Sequence, residues 1–346
     1  STREDSAADN ATTDILTLGV TGAATGSSDV LNVVLSASSD VDYGVTAIAD
    51  VETINIDSTE GTASATVRAG TIGLTISQQA SPNNNAQTVN FTGTESITVD
   101  TAIAAGTISA AGMTVAAATD AGLTMSTAHT AAQTITGSGK VDTLFGSTKA
   151  DTINAGAGAD TIYGGVGGDT IDGGDGIDTY RDDGALTAAT VEGTGTGTST
   201  GVVVNLGSAA ITNSAVLAQI AQDLSGSLTS VDGGKVAYVF NGSAVVNTTV
   251  TDTLTNIENV TLFDGINYIV GSDAANVITG GTGTDWITSG NGADTITGGS
   301  AADTITLTET AANSAADTVK YTFTTAAELA TEVGSAAGTD NDFAAA

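Results

Sequence analysis

Two runs of nine-residue units constrain the fold of this chain more than any other feature of its sequence. The first run starts at Gly137 and reads GSGKVDTLF, GSTKADTIN, AGAGADTIY, GGVGGDTID and GGDGIDTYR. The second run starts at Leu262 and reads LFDGINYIV, GSDAANVIT, GGTGTDWIT, SGNGADTIT and GGSAADTIT. A short unit cannot bury an apolar face alone, so a repeat of this kind predicts a solenoid in which successive turns cover one another.

A looser form of the same pattern precedes the repeats. Threonine alternates with an apolar residue in VETINID, ATVRAG, GLTISQ, QTVNFTG, SITVDT, GTISAAG, MTVAAA, LTMST and QTITGSG. Alternation with a period of two indicates short strands with one buried face. We interpret them as strands of a parallel solenoid that continues into the repeats, and the alternative is a Thr-rich β-sandwich.

The composition of the chain changes along its length and suggests five segments. GVVVNLG and KVAYVFNG read as strands, residues 213–224 as a short amphipathic helix, and DTVKYTF as a last strand. We read GTGTGTSTG, residues 193–201, as a flexible connection. The predicted organisation is a Thr/Ala-rich β-solenoid over 1–136, a first repeat set over 137–181, an insertion of strands and one short helix over 182–261, a second repeat set over 262–308, and a C-terminal strand with an Ala-rich tail over 309–346.

The sixth position of each repeat unit carries an aspartate or an asparagine. Carboxylates at such regular spacing repel one another unless a cation lies between them. The chain has 39 acidic residues, only 7 Lys and Arg, and a formal net charge of −32, so protein cations cannot supply that charge. Ca²⁺ suits such positions, because it takes about six to eight oxygen ligands from carboxylates and backbone carbonyls. A solvated acidic ladder without an ion is the alternative.

The predicted ligands fall into two groups. The side chains are those of the sixth positions, namely Asp142, Asp151, Asp160, Asp169, Asp178, Asn267, Asn276, Asp285, Asp294 and Asp303. Glycine accepts backbone conformations that turn carbonyl oxygens towards one point. The loop glycines are Gly137, Gly139, Gly146, Gly156, Gly158, Gly164, Gly165, Gly167, Gly173, Gly174, Gly176, Gly271, Gly280, Gly281, Gly283, Gly290, Gly292, Gly298 and Gly299.

Both runs follow the pattern G-G-x-G-x-D-x-U-x, where U is a large aliphatic residue, and in this they resemble the RTX (hemolysin-type) calcium-binding repeats of proteins exported by type I secretion. The resemblance implies a right-handed parallel β-roll with two units per turn and one ion between equivalent loops of successive turns. Residues eighteen apart then pair, and up to about six ions are expected. The implied pairs are Asp142 with Asp160, Asp151 with Asp169, Asp160 with Asp178, Asn267 with Asp285, Asn276 with Asp294, and Asp285 with Asp303. The two asparagines are expected to weaken their sites, because an amide is a neutral ligand.

The strand part of each unit has an inner and an outer set of positions. The U residue should face inwards and its two neighbours outwards. The outer positions then place Phe145, Tyr163 and Arg181 on one ladder, and Tyr268 and Trp286 on another. These aromatic ladders are either a contact surface for another subunit or a surface that the insertion or the tail covers.

Several classes of function are excluded. An acidic chain is a poor partner for nucleic acid, and no apolar run is long enough to enter a membrane. No catalytic residues can be assembled, since the chain has no Cys and its one histidine, His129, has no partner and is expected on the surface. We therefore predict no enzymatic activity and no cofactor besides Ca²⁺.

The Ala/Thr/Gly/Ser-rich strands, VETINID and DTLTNIENV, and the two repeat sets resemble bacterial surface-layer proteins of the RTX type. The resemblance implies an extracellular structural protein that assembles on a Gram-negative bacterium, with other copies of itself and, through Ca²⁺, anionic cell-surface polysaccharide as partners. Both ends of the sequence look like cuts through a longer polypeptide. The alternatives are a secretion and folding module of an exported hydrolase, epimerase or toxin, and a calcium-rigidified adhesin stalk.

Overall fold

The computed structural model describes most of the repeat regions and much of the rest of the chain. The described residues are 15–19, 29–34, 41–49, 51–58, 71–79, 88–99, 102–103, 105–114, 121–126, 128–129, 131–165, 167–182, 197–220, 230–242, 249–263, 265–308 and 315–320. ATVRAG, most of MTVAAA and the Ala-rich tail lie outside them. The chain forms two compact units, Ser1–Gly165 with Asp169–Asp178, and Val166–Gly168 with Thr179–Ala346.

The first unit consists of two parallel sheets that receive strands in alternation, numbered here in chain order. One sheet contains β1 (Ile15–Gly19), β3 (Val41–Ala49), β5 (Thr71–Gln79), β7 (Ser96–Val99), β9 (Ala121–Met125), β11 (Val141–Ser147) and β14 (Thr161–Gly165). The other contains β2 (Val30–Val34), β4 (Thr53–Asp57), β6 (Thr88–Gly93), β8 (Thr107–Met113), β10 (Thr134–Thr136), β12 (Thr152–Asn154) and β15 (Thr170–Asp172). Two short strands in the loops, β13 (Ala157–Gly158) and β16 (Asp175–Gly176), also pair in parallel.

This alternation confirms the predicted all-β parallel solenoid, and the β-sandwich alternative is wrong. Each turn of the chain adds one strand to each sheet, and every neighbouring pair in both sheets is parallel. In the repeats the register is eighteen residues, as in the pairing of Leu144 with Ile162 and of Ile153 with Ile171.

The second unit also contains two sheets. The first is fully parallel and consists of β17 (Thr179–Arg181), β21 (Asn259–Thr261), β23 (Val277–Thr282), β25 (Thr295–Ser300) and β27 (Thr318–Lys320). The second consists of β20 (Thr249–Thr255), β19 (Lys235–Gly242), β18 (Gly197–Asn205), β22 (Tyr268–Val270), β24 (Trp286–Thr288) and β26 (Thr304–Thr306), in that order.

The insertion supplies three strands of that second sheet. β18, β19 and β20 form an antiparallel meander, and β18 then pairs in parallel with β22 of the repeats. The predicted flexible connection over 193–201 is therefore wrong from Gly197 onwards, where β18 begins. Its Gly/Thr run suggested flexibility, but the backbone there pairs with β19.

The one helix among the described residues, α1 (Ser214–Ile220), lies in this insertion. It begins after Asn213, whose side-chain oxygen accepts a hydrogen bond from Val216 N at 3.4 Å, as an N-cap does. Its Leu217 belongs to a small buried core together with Val203, Ile211, Val231 and Ala237. The predicted helix is confirmed to Ile220, and residues 221–224 lie outside the described part of the chain. No helix in the described part of the chain is long and apolar enough to cross a membrane.

The inner side of the solenoid is lined by the U residues, as predicted. Eight of these side chains are at most 1% exposed, namely Leu144, Ile153, Ile162, Ile171, Ile269, Ile278, Ile287 and Ile296, and Ile305 of the last unit is half-buried. Tyr180 holds the same position in the fifth unit and is fully buried, with its hydroxyl donating to Asp252 at 3.2 Å. In the repeats one large side chain per strand forms the core, whereas a strand of the Thr-rich part such as β4 buries two, Ile54 and Ile56.

The outward positions carry the aromatic residues, also as predicted. The rings of Phe145 and Tyr163 stack, with centroids 4.0 Å apart and planes 7° apart. In the second unit, Tyr268 lies opposite Trp286, and the guanidinium of Arg181 lies 4.7 Å from the ring centroid of Phe263. Stacking between neighbouring turns adds about 0.5–1.5 kcal/mol per aromatic pair beyond burial.

The histidine is not on the surface, so that prediction is wrong. His129 is 1% exposed, its Nδ1 accepts a hydrogen bond from Ile103 N at 2.8 Å, and its Nε2 lies 3.4 Å from Met125 Sδ. Burial lowers the pKa of His129 to about 4, so the ring is neutral at physiological pH. The side chain satisfies a buried backbone donor in a turn of the solenoid, which is a structural role.

Candidate calcium sites

The sixth-position side chains of the repeats point into the turns of the solenoid rather than into solvent. All of them except Asp303 are buried, and Asp303 is half-buried. Each sixth-position residue lies where the glycine loop ends and the strand begins. Because equivalent strands of successive turns pair in parallel, their sixth-position side chains lie next to one another. A row of buried carboxylates is unstable unless positive charge or hydrogen-bond donors balance the negative charges.

The structure brings together all six of the pairs that lie eighteen residues apart. In each pair the backbone N–H of the earlier residue donates to the Oδ1 of the later one. The N···O distances are 2.7 Å for Asp142 and Asp160, 2.9 Å for Asp151 and Asp169, 2.8 Å for Asp160 and Asp178, 2.9 Å for Asn267 and Asp285, 2.8 Å for Asn276 and Asp294, and 3.0 Å for Asp285 and Asp303. These bonds orient each carboxylate but satisfy only one of its two oxygens.

The second carboxylate oxygen is orphaned in the middle of both sets. Oδ2 of Asp160 and Oδ2 of Asp285 are buried and accept no hydrogen bond. Desolvation raises the pKa of Asp160 to about 7, and the negative charges of Asp142 and Asp178 add to the increase, against a hydrogen bond from Asp142 N. Desolvation likewise raises the pKa of Asp285 to about 7, with a smaller contribution from Asp303. Without a cation, neither carboxylate is stable as an anion at this depth.

The first loop position is where carboxylate and carbonyl oxygens converge. A Cβ added at Gly280 would lie 2.5 Å from Asp285 Oδ2 and 2.6 Å from Gly298 O. A Cβ at Gly146 would likewise lie 2.8 Å from Asp151 Oδ2 and 2.0 Å from the carbonyl oxygen eighteen residues on. At Gly146 and Gly280 the two oxygens leave no room for a side chain, whereas other units have Ala155 or Ser289 at the same position.

The second and fourth loop positions need glycine for a different reason. At Gly165, φ is +91°, and a Cβ would lie 2.1 Å from Ser147 O of the turn before. Positive φ is shared by the second-position glycines Gly156, Gly165, Gly174, Gly281, Gly290 and Gly299 and by the fourth-position glycines Gly158, Gly176, Gly283 and Gly292. The other predicted glycines whose φ the structure describes do not have positive φ; they are Gly137, Gly139, Gly146, Gly164, Gly173, Gly271, Gly280 and Gly298. Gly139 faces open space.

The donor set fits a hard cation. Among the described residues, no group of three or more His, Cys, Asp and Glu side chains converges on one point. Any ion in these turns is therefore held by two carboxylates together with backbone carbonyls. An all-oxygen set of this kind suits Ca²⁺, whereas zinc sites in proteins draw on Cys and His. The orphaned Oδ2 atoms of Asp160 and Asp285, and the carbonyl oxygen that converges with Asp285 Oδ2, fit the predicted ion.

One further aspartate, Asp317, joins the row of sixth-position side chains in the second repeat set, and the sequence analysis did not predict it. Asp294 N donates to Asp317 Oδ1 at 3.0 Å, and β25 pairs with β27, which follows Asp317 directly. The separation is twenty-three residues instead of eighteen, so this pair departs from the nine-residue period of the repeats. The signal was present, since AADTVK repeats the AADTIT of the preceding unit out of register.

A parallel solenoid whose turns combine glycine loops with carboxylates paired across eighteen residues is a calcium-binding β-roll. The family model of the RTX calcium-binding nonapeptide repeat matches four times, over residues 136–171, 145–180, 263–296 and 270–305. The chain is thus an RTX repeat protein, and the matches fall on both repeat sets. No curated protein and no solved structure matches the chain.

Proposed function

We propose that this chain is a structural segment of a surface-layer protein that assembles, in a calcium-dependent way, on the outside of a Gram-negative bacterium. The observation that supports the proposal is continuity within the first unit. β11 of the repeats pairs with β9, and β12 of the repeats pairs with β10, so the repeats extend both sheets of the Thr-rich solenoid. The calcium loops then stiffen the two sheets of this unit.

The charge of the chain gives Ca²⁺ a second role. Six bound ions would contribute twelve positive charges, and −32 plus 12 still leaves about −20. Neighbouring copies, and anionic polysaccharide on the cell surface, would repel such a surface. Further divalent ions between subunits would remove that repulsion, so we expect association to need more Ca²⁺ than folding does.

The proposal is tested by titrating Ca²⁺ into the purified chain. Circular dichroism reports folding, and light scattering with electron microscopy reports assembly. The expected result is a gain of β signal at low Ca²⁺ and ordered sheets at higher Ca²⁺, with neither in Mg²⁺ or Na⁺ at matched ionic strength. Assembly in sodium alone would refute the proposal. Folding into single rods that never associate laterally would instead support the adhesin stalk or the secretion module.

A further inference from the structure

The first sixth-position side chain of the second repeat set forms a hydrogen bond with an atom that a calcium ion would otherwise contact. Asn267 Nδ2 donates to Gly280 O at 3.1 Å. One turn later, the equivalent atoms are Asp285 Oδ2 and Gly298 O, which lie 2.5 Å and 2.6 Å from one point at the first loop position. Those two atoms are both acceptors and need a cation between them. At Asn267 an N–H group takes the place of that cation. We call a turn closed when hydrogen bonds within the protein take the place of the ion in this way.

The next unit is closed in the same way. Asn276 Oδ1 accepts a hydrogen bond from Ser272 N at 2.8 Å, and Asn276 Nδ2 donates to Glu258 O at 2.5 Å and to Ser272 Oγ at 3.0 Å. Both ends of the amide are therefore satisfied within the protein. An ion at this place would have to displace a donor that is already well bonded.

The first two units of the first set are closed by serine. Ser138 N donates to Asp142 Oδ2 at 2.6 Å, and Ser138 Oγ lies 3.0 Å from the same oxygen. Ser147 N donates to Asp151 Oδ2 at 2.5 Å, and Ser147 Oγ lies 3.0 Å from Asp151 Oδ1. The corresponding oxygen of Asp160 accepts no hydrogen bond.

The closure follows from the residue at the second loop position. In the later units this residue is a glycine with positive φ, as at Gly165 and Gly281. The serines at this position do not have positive φ, since the non-glycine residues with positive φ in the described chain are Asn256 and Ala301. A serine with ordinary φ directs its N–H at the carboxylate, and its hydroxyl adds a second donor.

From these contacts we infer that each repeat set begins with an ion-free turn closed by hydrogen bonds, and that Ca²⁺ binds only to the later pairs. Of the six pairs eighteen residues apart, this leaves Asp160 with Asp178 and Asp285 with Asp303. The inference rests on calcium binding by the repeats, which the proposed function also assumes. An ion-free turn gives the ion ladder an end that is stable before any ion binds, as the capping repeats of other solenoids do.

The first test counts bound ions on the native chain by native mass spectrometry in Ca²⁺. The expected number is about two, or about three if the Asp294–Asp317 pair also takes an ion. Six bound ions would overturn the inference and leave the proposed function intact. A chain that binds no Ca²⁺ at all would overturn both.

The second test opens a closed turn. Asn267→Asp replaces the donating Nδ2 with an acceptor and should raise the ion count by one, while Asn267→Ala, which supplies no ligand, should not. Ser138→Gly should likewise gain an ion at Asp142, and Ser138→Ala should not, because alanine keeps the ordinary φ and the N–H. Circular dichroism in Ca²⁺ establishes that each variant is folded. Folded Asn267→Asp and Ser138→Gly proteins with unchanged counts would contradict the inference.

Discussion

Replacing Asp160 with asparagine should change stability in opposite directions with and without Ca²⁺. The side chain keeps its shape, and the chain itself accommodates asparagine at the equivalent positions Asn267 and Asn276. Asp160 is 1% exposed, its Oδ1 is oriented by Asp142 N, and its Oδ2 has no hydrogen-bond donor. Asparagine removes a buried negative charge. That charge destabilises the folded chain when no ion is bound, and it is a ligand when Ca²⁺ is bound.

The magnitude follows from the pKa of Asp160, which burial raises from 3.8 to about 7. A raised carboxyl pKa means that the folded state binds more protons than the unfolded state, so ion-free stability is present below about pH 4 and is lost as pH rises towards 7. At pH 7 the cost to the ion-free fold is on the order of 4 kcal/mol, and at pH 4 it falls below about 1 kcal/mol. Asp160→Asn should recover most of that difference in chelator at pH 7.

Urea unfolding followed by circular dichroism checks this prediction in excess chelator and in Ca²⁺. In chelator at pH 7 the variant should unfold at higher urea than the native chain, and the gain should shrink at pH 4. In Ca²⁺ the order should reverse, because a charged ligand is lost. Asp175→Asn is the matched control: Asp175 lies in a neighbouring loop but is exposed, so its replacement should change little. A variant that is less stable than the native chain under both conditions would refute the reasoning.

Three further predictions concern the core, the loops and pH. Ile162→Ala, at a fully buried position, should destabilise the calcium-loaded chain by about 2–5 kcal/mol in thermal unfolding, and a loss below 1 kcal/mol would argue against a core of one residue per strand. Gly165→Ala should cost about 1–3 kcal/mol, because φ is +91° and a Cβ would meet Ser147 O, whereas Gly139→Ala should be neutral in the same assay; equal effects would contradict the loop geometry. Acidifying the native chain in chelator from pH 7 to pH 5 should raise its unfolding midpoint, because burial raises the pKa of Asp142 to about 6 and of Asp285 to about 7; a lower midpoint at pH 5 would contradict those shifts.

The periodic features of this protein could be predicted from its sequence. Local spacing determines strand length, the inward direction of residues such as Ile153, and a pairing of residues eighteen apart, because each follows from the alternation of side chains and the length of one turn. Regular carboxylates and glycines without protein cations indicate a hard cation, and the resemblance to RTX repeats implied that this cation is Ca²⁺.

Contacts that break the period were decided only by the tertiary structure. The sequence pattern does not show that His129 accepts a hydrogen bond from Ile103 N, or that β18 pairs with β22 of the repeats. In neither contact do the partners lie at a regular distance along the chain. Asp317 was missed for the same reason. Whether Asn267 weakens an ion site or replaces its ion likewise depends on where its amide nitrogen lies relative to Gly280 O. An asparagine at the sixth position of a repeat is either a poor ligand for the ion or a hydrogen-bond donor that makes the ion unnecessary. Only the positions of its atoms in three dimensions distinguish the two.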